Sequence, residues 1–267
     1  MLSVGSDAEV CLVDLNGNPF SSEGLLGGSK KIPRQTTNGA VQEDNVLAEF
    51  NVNPAVSEIE FITNTKLILQ DLREIITPLD LSIEIVASAN YNPKQLRSRQ
   101  ARRAGCDPDY NAWTGTRNPA PNFIGSTMRT CGGHLHAAFP EAEEDIEVSW
   151  DFAKVMDLIA GVPSILMDRD SRRRQFYGAA GAFRPKHYTY GDPYCGVEYR
   201  TLSSFWLKSE KTIGWAFRSV RTAYDNWTEL LAIANAEKDR ILKAINEDSV
   251  ETAESLVNTY GLEVVDV

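Results

Sequence analysis

The chain has 267 residues, of which 42% are hydrophobic, 24% charged and 9% aromatic, the composition of an ordinary globular protein. Its net charge of −10 argues against a nucleic-acid partner, because phosphate contacts need an excess of Lys and Arg. No secretory signal precedes the first strand-like segment, no apolar run approaches the roughly 20 residues of a membrane span, and the four cysteines form no CxxC pair. We therefore expect a reduced, cytoplasmic protein without a zinc ribbon.

The N-terminal third contains three segments that predict strands. Residues 2–13 are rich in Val, Leu and Cys and end at the turn signal 16–19. Residues 21–40 predict an exposed loop, and residues 41–53 predict one further extended segment. Residues 81–87 predict the third strand.

A helix is predicted between the second and third of these strands. Ser57 followed by Glu60 matches a capping box, and Pro78 ends the helical pattern. The apolar positions that support the helix are Ile59, Ile62, Leu69, Leu72 and Ile76.

The middle of the chain is irregular except for two strands and one helix. Residues 90–122 predict a long loop, which in a compact domain usually indicates function, and 171–195 are irregular as well. Residues 123–139 contain a strand with two histidines, and 196–203 predict another strand. Asp145 can cap a helix whose inner face is Val148, Phe152, Val155 and Ile159.

The C-terminal third predicts helix, because apolar residues recur at spacings of three or four. These residues are Ile213, Phe217, Val220, Tyr224, Trp227, Leu231 and Ala234. Strands and helices are mixed without strict alternation, which favours an α+β fold with a mainly antiparallel sheet.

Four strand-like segments carry polar side chains two positions apart. Residues i and i+2 face the same side of a strand, roughly 6.5–7 Å apart, so each pair directs two functional groups into one space. The pairs are Asp7 and Glu9, Glu49 and Asn51, His134 and His136, and Glu198 and Arg200. A regular strand would also place Glu43 on the face of Glu49.

If these strands share one sheet, up to five carboxylates and two imidazoles lie close together. Coulomb repulsion opposes such crowding unless cations lie between the carboxylates. Carboxylates with one or two histidines suit Mg²⁺ or Mn²⁺ better than zinc. The recurring pattern therefore predicts a site for divalent cations.

Each pair alone has a simpler interpretation. An Asp-x-Glu pair can lie on a solvated face, and a His-x-His pair can lie at the surface. Glu198 and Arg200 can form an exposed ion pair that contributes little stability. The recurrence in four segments is what favours a shared site.

Arginines complete the predicted site. Arg184 lies in the small-residue segment 177–185, which would allow close approach to a ligand, and Arg200 shares the face of Glu198. Arginine among metal-bound carboxylates suits phosphoryl transfer, because it places positive charge beside the migrating group. Alternatively, Arg184 caps a helix or forms a surface pair. Lys30 could reach phosphates from its glycine-rich loop or simply be solvated, and the chain has no P-loop or Rossmann glycine motif.

The order of these segments resembles that of glutamine synthetase and its relatives, which hold ATP and paired divalent ions on the concave face of an antiparallel sheet. More closely, the chain resembles the phage-associated carboxylate–amine ligases, the amidoligases of the second type. The resemblance spans roughly residues 3–206. The segments that carry it are GSDAE (5–9), GGSK (27–30), EDN (43–45) with EFN (49–51), GCDPD (105–109), GGHLH (132–136) and GVEYR (196–200).

The resemblance implies a curved, mainly antiparallel sheet with helices packed on its convex side. Residues 1–267 would form a single catalytic domain, with a core of 3–206 and a helical C-terminal region of 207–267.

The resemblance also implies metal ligands. Asp7 and Glu9 would stand where the superfamily's first acidic pair binds metal, and Glu43 with Glu49 would complete the shell of one cation. His134 and Glu198 would bind the other cation, nearer the nucleotide phosphates.

Further side chains would contact ATP or substrate. His136 would lie beside one of them, and Arg184 and Arg200 would clamp the transferred phosphoryl group and the substrate carboxylate, with Glu198 as the third catalytic residue. The remaining candidates for ATP or substrate binding are Lys30, Asn51 and Arg174.

The implied function is an ATP- and Mg²⁺- (or Mn²⁺-) dependent ligase that joins a small-molecule or peptide carboxylate to an amine through an acyl phosphate. Ammonia is not implied as the amine, because the chain lacks the length of a full glutamine synthetase. A homo-oligomer is compatible with the superfamily, and a phage-encoded enzyme would act in the host cytoplasm.

Three alternatives remain open at this point. Guanidino kinases share the sheet and stop after phosphoryl transfer. A virion or interaction protein could keep the fold without the activity. A metal-dependent hydrolase could use the His-x-His pair without any nucleotide.

Overall fold

The computed structural model describes residues 1–102, 109–119, 123, 125–144, 146–186 and 196–267. The strands within these residues are β1 (Ser3–Val13), β2 (Pro19–Phe20), β3 (Arg34–Gln35), β4 (Gly39–Asp44), β5 (Leu47–Ala55), β6 (Ser82–Glu84), β7 (Ser88–Asn90), β8 (Tyr110–Asn111), β9 (Thr116–Arg117), β10 (Met128–Thr130), β11 (Gly133–Ala138), β12 (Ala182–Lys186) and β13 (Gly196–Tyr199). The α-helices are α1 (Glu58–Ile76), α2 (Arg99–Arg102), α3 (Glu141–Glu144), α4 (Ile146–Met156), α5 (Val162–Met167), α6 (Glu210–Asp225), α7 (Trp227–Ala236), α8 (Lys238–Asn246) and α9 (Val250–Tyr260).

One large sheet organises the chain. Its strand order is β3-β4-β5-β1-β11-β13-β12-β8-β9, and β2 and β6 pair with the far end of β1. Every pairing between these strands is antiparallel, while β7 and β10 form a separate two-stranded sheet. The predicted α+β fold with a mainly antiparallel sheet is confirmed.

The central strand β1 separates the core from a polar face. Its even-numbered residues Val4, Val10 and Leu12 are fully buried in the hydrophobic core. Because side chains alternate along a strand, Asp7 and Glu9 point to the opposite face. Helix α1 packs against β5, α4 against β13, and α6 against β11, so the helices cover the core side and leave the other face for polar groups.

The predicted second strand is two strands joined by a tight turn. Residues 41–53 were predicted to run straight, but β4 ends at Asp44 and β5 begins at Leu47. Asn45, with φ of 62°, makes the left-handed turn that Asn tolerates better than most residues. The chain therefore reverses between Glu43 and Glu49, which changes their relation to the site.

Helix α1 forms as predicted, with a shifted buried face. The Ser57 side chain accepts a hydrogen bond from the Glu60 amide, but Glu60 turns to the Val56 amide, so the predicted capping box is only half formed. Ile59, one of the apolar positions that predicted the helix, is 79% exposed and lies off the buried face. The buried side chains are Phe61, Thr65, Ile68, Leu69, Leu72 and Ile76.

The segment 171–195, predicted to be irregular, contains strand β12. Pro185 obscured it, since proline cannot donate to a sheet ladder. In the structure β8 pairs only with Ala182 and Phe183, so no strand on that side needs the missing amide at Pro185. Residues 187–195 lie outside the described residues, as do most of the motif 105–109 and the predicted cap Asp145.

The predicted C-terminal helix is divided at Asn226 into α6 and α7. Helix α6 packs on α1 and α4, α7 packs on α4, and α8 and α9 pack on α5. No helix among the described residues is long and apolar enough to cross a membrane.

Candidate active site

The register of the sheet aligns the polar side chains in rows across the strands. Direct partners in neighbouring antiparallel strands have Cβ atoms about 4.5–5.5 Å apart. Each row therefore brings its side chains within contact distance. The partners across the sheet are His136 with Glu198 and Glu198 with Arg184, Asp7 with His134 and with Asn51, and Glu9 with Glu49 and Glu49 with Gln42.

Asp7, His136 and Glu198 form a first ligand group. One possible ligand atom from each of the three lies within 4.8 Å of the others. His136 Nε2 is 3.0 Å from Asp7 Oδ1. His134 adjoins this group, with Nδ1 3.0 Å from Asp7 Oδ1 and 3.6 Å from Glu198 Oε1. Both histidines therefore face these carboxylates, whereas only His134 was predicted to bind the metal ion with Glu198.

Glu198 lies at the centre of three cationic side chains. Its carboxylate is completely buried and contacts Arg200, while Arg184 Nη1 and Lys186 Nζ lie 3.2 and 2.7 Å from Oε2. Lys186 was not among the residues predicted for the site. Its position two residues after Arg184 would have indicated it, had β12 been recognised.

Arg200 is held by residues from the irregular segments. Its Nε donates to the Tyr177 hydroxyl at 2.5 Å and to Asp109 Oδ2 at 3.3 Å, and its guanidinium lies 5.4 Å from the centre of the Tyr177 ring. Asp109 belongs to a motif that carries the resemblance, but the sequence assigned it no role. The long loop thus supplies a residue of the site.

Glu9, Asp44 and Glu49 form a second ligand group, with carboxylate oxygens that lie within 4.8 Å of one another. All three residues are buried. Glu9 accepts a hydrogen bond from the Gly132 amide at 2.5 Å, and Glu49 accepts one from Gln42 at 2.6 Å. Lys30 Nζ approaches Asp44 Oδ2 at 3.6 Å, so the predicted Lys30 borders this group.

Burial and mutual repulsion keep protons on the second group. Burial, together with the charge of Asp44, raises the pKa of Glu9 to about 8. Burial and the charges of Asp7, Asp44 and Glu9 likewise raise the pKa of Glu49 well above its ordinary value. These carboxylates are costly to ionise together without a compensating cation.

Burial has the opposite effect on the two histidines. It lowers the pKa of His134 well below its ordinary value, with the charge of Arg200 acting in the same direction, and burial also lowers the pKa of His136. Both imidazoles are therefore neutral near pH 7, which is the form that binds metal ions.

The donor set fits divalent cations. Each group offers buried carboxylate oxygens, which Mg²⁺ and Mn²⁺ prefer, and the first adds imidazole nitrogen. His134 Nε2 is buried with no hydrogen-bond partner among the described residues, which indicates a position left for a ligand. The repulsion within the second group is what a bound cation would relieve.

Glu43 does not join this cluster, and the prediction that it shares the face of Glu49 is wrong. Its partner across the hairpin is Ala48, whereas Gln42 is the partner of Glu49. The Glu43 carboxylate instead accepts hydrogen bonds from the Gly24 and Leu26 amides and holds that loop. Asp44 takes the position in the cluster that was predicted for Glu43.

Arg174 also lies away from the cluster, contrary to the prediction that it binds ATP or substrate. Its Nε donates to the Ile245 carbonyl at 3.0 Å, and Asp248 lies 3.7 Å away. Its side chain is buried against the end of α8, so it ties the short helical turn 171–175 to the C-terminal helices. Asn51 does lie in the row of Asp7, and its binding role stays a prediction.

Two glycines before the histidine strand allow close packing around the site. A Cβ on Gly132 would lie 2.5 Å from His134 Nε2, and one on Gly133 would overlap the Ser203 carbonyl. Any larger residue would therefore displace the histidine ring or the neighbouring backbone. The Gly-Gly of the GGHLH motif is a packing requirement of the site.

Asp157 supports the site from the core side. It lies in the π-helical turn Asp157–Gly161, is fully buried, and accepts four hydrogen bonds. The donors are Trp113 Nε1 at 2.6 Å, the Gly181 amide at 2.5 Å, the Tyr199 hydroxyl at 2.7 Å and Thr201 Oγ1 at 3.2 Å. These donors flank Arg184, Glu198 and Arg200, so Asp157 fixes the strands that carry them. Sequence patterns gave no signal for it.

A cavity borders each ligand group. One of about 250 Å³ is lined by His136, Lys186 and apolar residues of β5, β11 and β13. The other, of about 490 Å³, is lined by Asp44 of the second group and by Lys30, Lys31 and Arg99. Small molecules therefore have separate approaches to the two groups.

Comparison with known proteins identifies the family. A crystal structure described as that of a novel glutamine synthase homolog is 11% identical, with a TM-score of 0.44, and the match covers 98% of this chain and 68% of that chain. No curated protein matches the chain. The model of the family described as phage phiEco32-like COOH.NH2 ligase-type 2 matches residues 123–256, half of the chain.

The family match differs in extent from the sequence resemblance. It begins at residue 123 and includes most of the C-terminal helices, which were expected to lie outside. The motifs GGHLH and GVEYR lie within the matched residues, together with the pair of strands that holds His136 against Glu198. The chain belongs to the family of phage phiEco32-like COOH-NH2 ligases of type 2.

Proposed function

We propose that the protein is an ATP-dependent carboxylate–amine ligase that forms an amide through an acyl phosphate. The observation that carries the proposal is the pair of ligand groups on one face of the sheet, one buried and one half-buried, next to three cationic side chains around Glu198. The family supports the joining of a carboxylate to an amine. Because the cytoplasm supplies both ATP and Mg²⁺, we also propose that the protein acts there.

The two ligand groups would each hold a divalent cation. Asp7, His136 and Glu198 would bind one, with His134 beside it, and Glu9, Asp44 and Glu49 would bind the other. Bound Mg²⁺ or Mn²⁺ supplies positive charge that neutralises phosphoryl oxygens in the transition state.

Arg184, Lys186 and Arg200 would serve the first chemical step. In that step a carboxylate oxygen of the substrate bonds to the γ-phosphorus of ATP, and ADP leaves. The three side chains already converge on one carboxylate, so they are positioned to bind oxygens of the migrating group. Asp109 and Tyr177 would keep Arg200 in its orientation.

In the second step the amine attacks the acyl carbon, an amide bond forms, and inorganic phosphate leaves. Water competes with the amine for the acyl phosphate, so the site must exclude it. Glu9, Glu49, His134, Glu198 and Arg200 are all buried, which supports such exclusion.

The proposal can be tested with hydroxylamine as a general amine. The protein is incubated with ATP, Mg²⁺ and a panel of amino acids, peptides and other carboxylic acids, and hydroxamate and phosphate are measured. We expect hydroxamate in amounts equal to phosphate for at least one acid. ADP together with a stable phosphorylated substrate would instead identify a phosphotransferase.

A thermal melt tests the nucleotide and metal separately. Ligands that bind only the folded state raise the melting temperature. We expect the largest rise with ATP and Mg²⁺ together. A rise with Mg²⁺ alone and none with ATP would favour the hydrolase, and no rise with either would contradict the ligase.

Glu49 and Glu43 offer a matched pair of variants. Glu49→Gln removes a ligand of the second group and should abolish most of the rise caused by Mg²⁺. Glu43→Gln makes the same change on the same hairpin, but among the described residues the Glu43 carboxylate belongs to neither ligand group and accepts from the Gly24 and Leu26 amides, so the rise should persist. Equal losses in both variants would contradict the assignment of the ligands.

A further inference from the structure

The cavity beside the second ligand group has a basic wall. It measures about 490 Å³, within the range of small-ligand sites, and Lys30, Lys31 and Arg99 line it. Glu43 lines it as well, with its carboxylate hydrogen-bonded to the Gly24 and Leu26 amides. Asp44 lines the same cavity and belongs to the second ligand group, so the cavity opens directly onto that group.

Arg99 belongs to a stretch of the sequence that is rich in basic residues. Residues 85–102 include four Lys or Arg and no Asp or Glu, in a chain whose net charge is −10. All four of these cations are exposed: Lys94, Arg97, Arg99 and Arg102. Concentrated positive charge on an acidic protein attracts anionic ligands to one place.

The basic residues that line the cavity differ in their ion pairing. Lys30 approaches Asp44, whereas Lys31 and Arg99 form no ion pair with a carboxylate of the described residues. Gln100, next to Arg99, donates a hydrogen bond to the Asn45 carbonyl, which fixes α2 against the β4–β5 turn. Lys31 and Arg99 are therefore available to an anion that enters the cavity.

We propose that this cavity receives the acid substrate, and that this substrate is an acidic peptide whose additional carboxylates bind Lys31 and Arg99. The inference depends on the proposed ligase function. The reacting carboxylate would lie toward the second ligand group, and side-chain carboxylates of the same peptide would lie along the basic wall. Ser29 and Gln100 line the cavity and can hydrogen-bond peptide amides.

An acidic peptide fits better than a nucleic acid. Single-stranded nucleic acids bind where aromatic rings stack on bases, and no aromatic residue lines this cavity among the described residues. A peptide also supplies the carboxylate that a ligase of this family joins to an amine.

The test is fluorescence anisotropy with a labelled hexaglutamate peptide, in Mg²⁺, at low and high salt. Hexaglutamine and hexathymidylate with the same label serve as the neutral peptide and the nucleic acid. We expect hexaglutamate to bind more tightly than either, with an affinity that falls as salt rises.

Two double variants with equal charge change locate the binding surface. Lys31→Glu with Arg99→Glu should weaken hexaglutamate binding about 10-fold or more. Lys238→Glu with Lys243→Glu changes exposed lysines of α8 and should leave the affinity nearly unchanged. Neither pair belongs to the ligand groups, so both variants should keep the melting-temperature rise caused by ATP and Mg²⁺.

Three outcomes would overturn the inference: no preference for hexaglutamate over hexaglutamine, tighter binding of hexathymidylate, or equal weakening in both double variants. If ATP and Mg²⁺ stabilise the protein while the peptide fails to bind, the ligase function stands and only the substrate class is wrong. If the peptide binds but ATP and Mg²⁺ have no effect, the cavity's role as a substrate site is overturned with the ligase function.

Discussion

The two ligand groups lie on the same face of the sheet but differ in how their charge is balanced. In the first, Glu198 is surrounded by Arg184, Lys186 and Arg200. In the second, neither Glu9 nor Glu49 forms an ion pair with Lys or Arg in the described part of the chain, and burial keeps their pKa values high.

This difference indicates different needs before any ligand binds. The protein itself compensates the charge of Glu198, so the first group is stable without a cation. The second group must hold protons or bind a cation, because ionised carboxylates so close together repel one another strongly when buried. Removing a negative charge should therefore have opposite effects on stability in the two groups.

The largest expected effect is in the first group. Glu198→Gln removes the buried carboxylate on which Arg184, Lys186 and Arg200 converge, and we expect the free energy of unfolding to fall by about 3–5 kcal/mol. Denaturant unfolding without divalent cations measures it. Glu229→Gln, at an exposed position on α7, should change stability little. Unchanged stability in Glu198→Gln would contradict the stabilising role of these ion pairs.

A smaller loss of stability is expected when Asp157, which supports the first group from the core side, is replaced. Asp157→Asn cannot accept all four hydrogen bonds, and the amide it introduces opposes buried donors, so we expect a loss of about 2–3 kcal/mol. Asp151→Asn on α4 removes only a partly exposed pair with Lys154 and should cost less than about 0.5 kcal/mol. Similar losses in both variants would contradict the supporting role of Asp157.

In the second group, removing a carboxylate should raise the stability of the metal-free protein instead of lowering it. Glu9→Gln removes a carboxylate whose pKa is raised to about 8, while the new amide oxygen can still accept from Gly132. We expect the metal-free variant to be more stable than the natural protein at pH 9 and nearly equal to it near pH 4.5, because ionisation of the buried Glu9 opposes folding. Lower stability of the variant at pH 9 would contradict the claim that ionised carboxylates destabilise the second group without a cation.

The smallest expected effect is the pH dependence of stability itself. A raised pKa in the folded state means that the contribution of Glu9 is fully present below about pH 4.5 and is lost as pH rises through about 8. Without divalent cations, stability should therefore decline between pH 6 and 9, most steeply below about pH 8. Mg²⁺ should offset that decline, and its stabilising effect should grow over the same range. Thermal melts at several pH values, repeated with Glu9→Gln, isolate this contribution.

Much of the site could be predicted from local spacing. The i, i+2 rule brought Asp7, Glu9, His134, His136 and Glu198 together, because each pair lies within one regular strand. The rule failed for Glu43, since a turn at Asn45 lies between it and Glu49 and reverses the chain. Periodicity carries no information across a turn that it does not detect.

Other parts of the site depend on contacts between distant segments. Lys186 lies on a strand that Pro185 obscured, and Asp109 lies in a loop whose pattern indicated function without indicating a partner. Asp157 lies in a helix and meets its four donors only after the sheet and the helices have packed. Arg174 was misplaced for the same reason, because nothing in its neighbourhood indicated the contact with α8.

The central position of β1 has a consequence for folding kinetics. β1 contributes Asp7 to one ligand group and Glu9 to the other, yet the Ser6 hydroxyl bonds the His134 carbonyl across a separation of 128 positions. Pairings of such separation carry a large loop-closure entropy and slow the formation of the native sheet.

The first ligand group is incomplete until this pairing exists, and the second also needs β1 paired with β5, so Mg²⁺ has little to bind in chains that have not yet crossed the folding barrier. Interactions that form after the transition state change the unfolding rate more than the folding rate. We expect Mg²⁺ to lengthen the lifetime of the folded protein while leaving the speed of refolding almost unchanged.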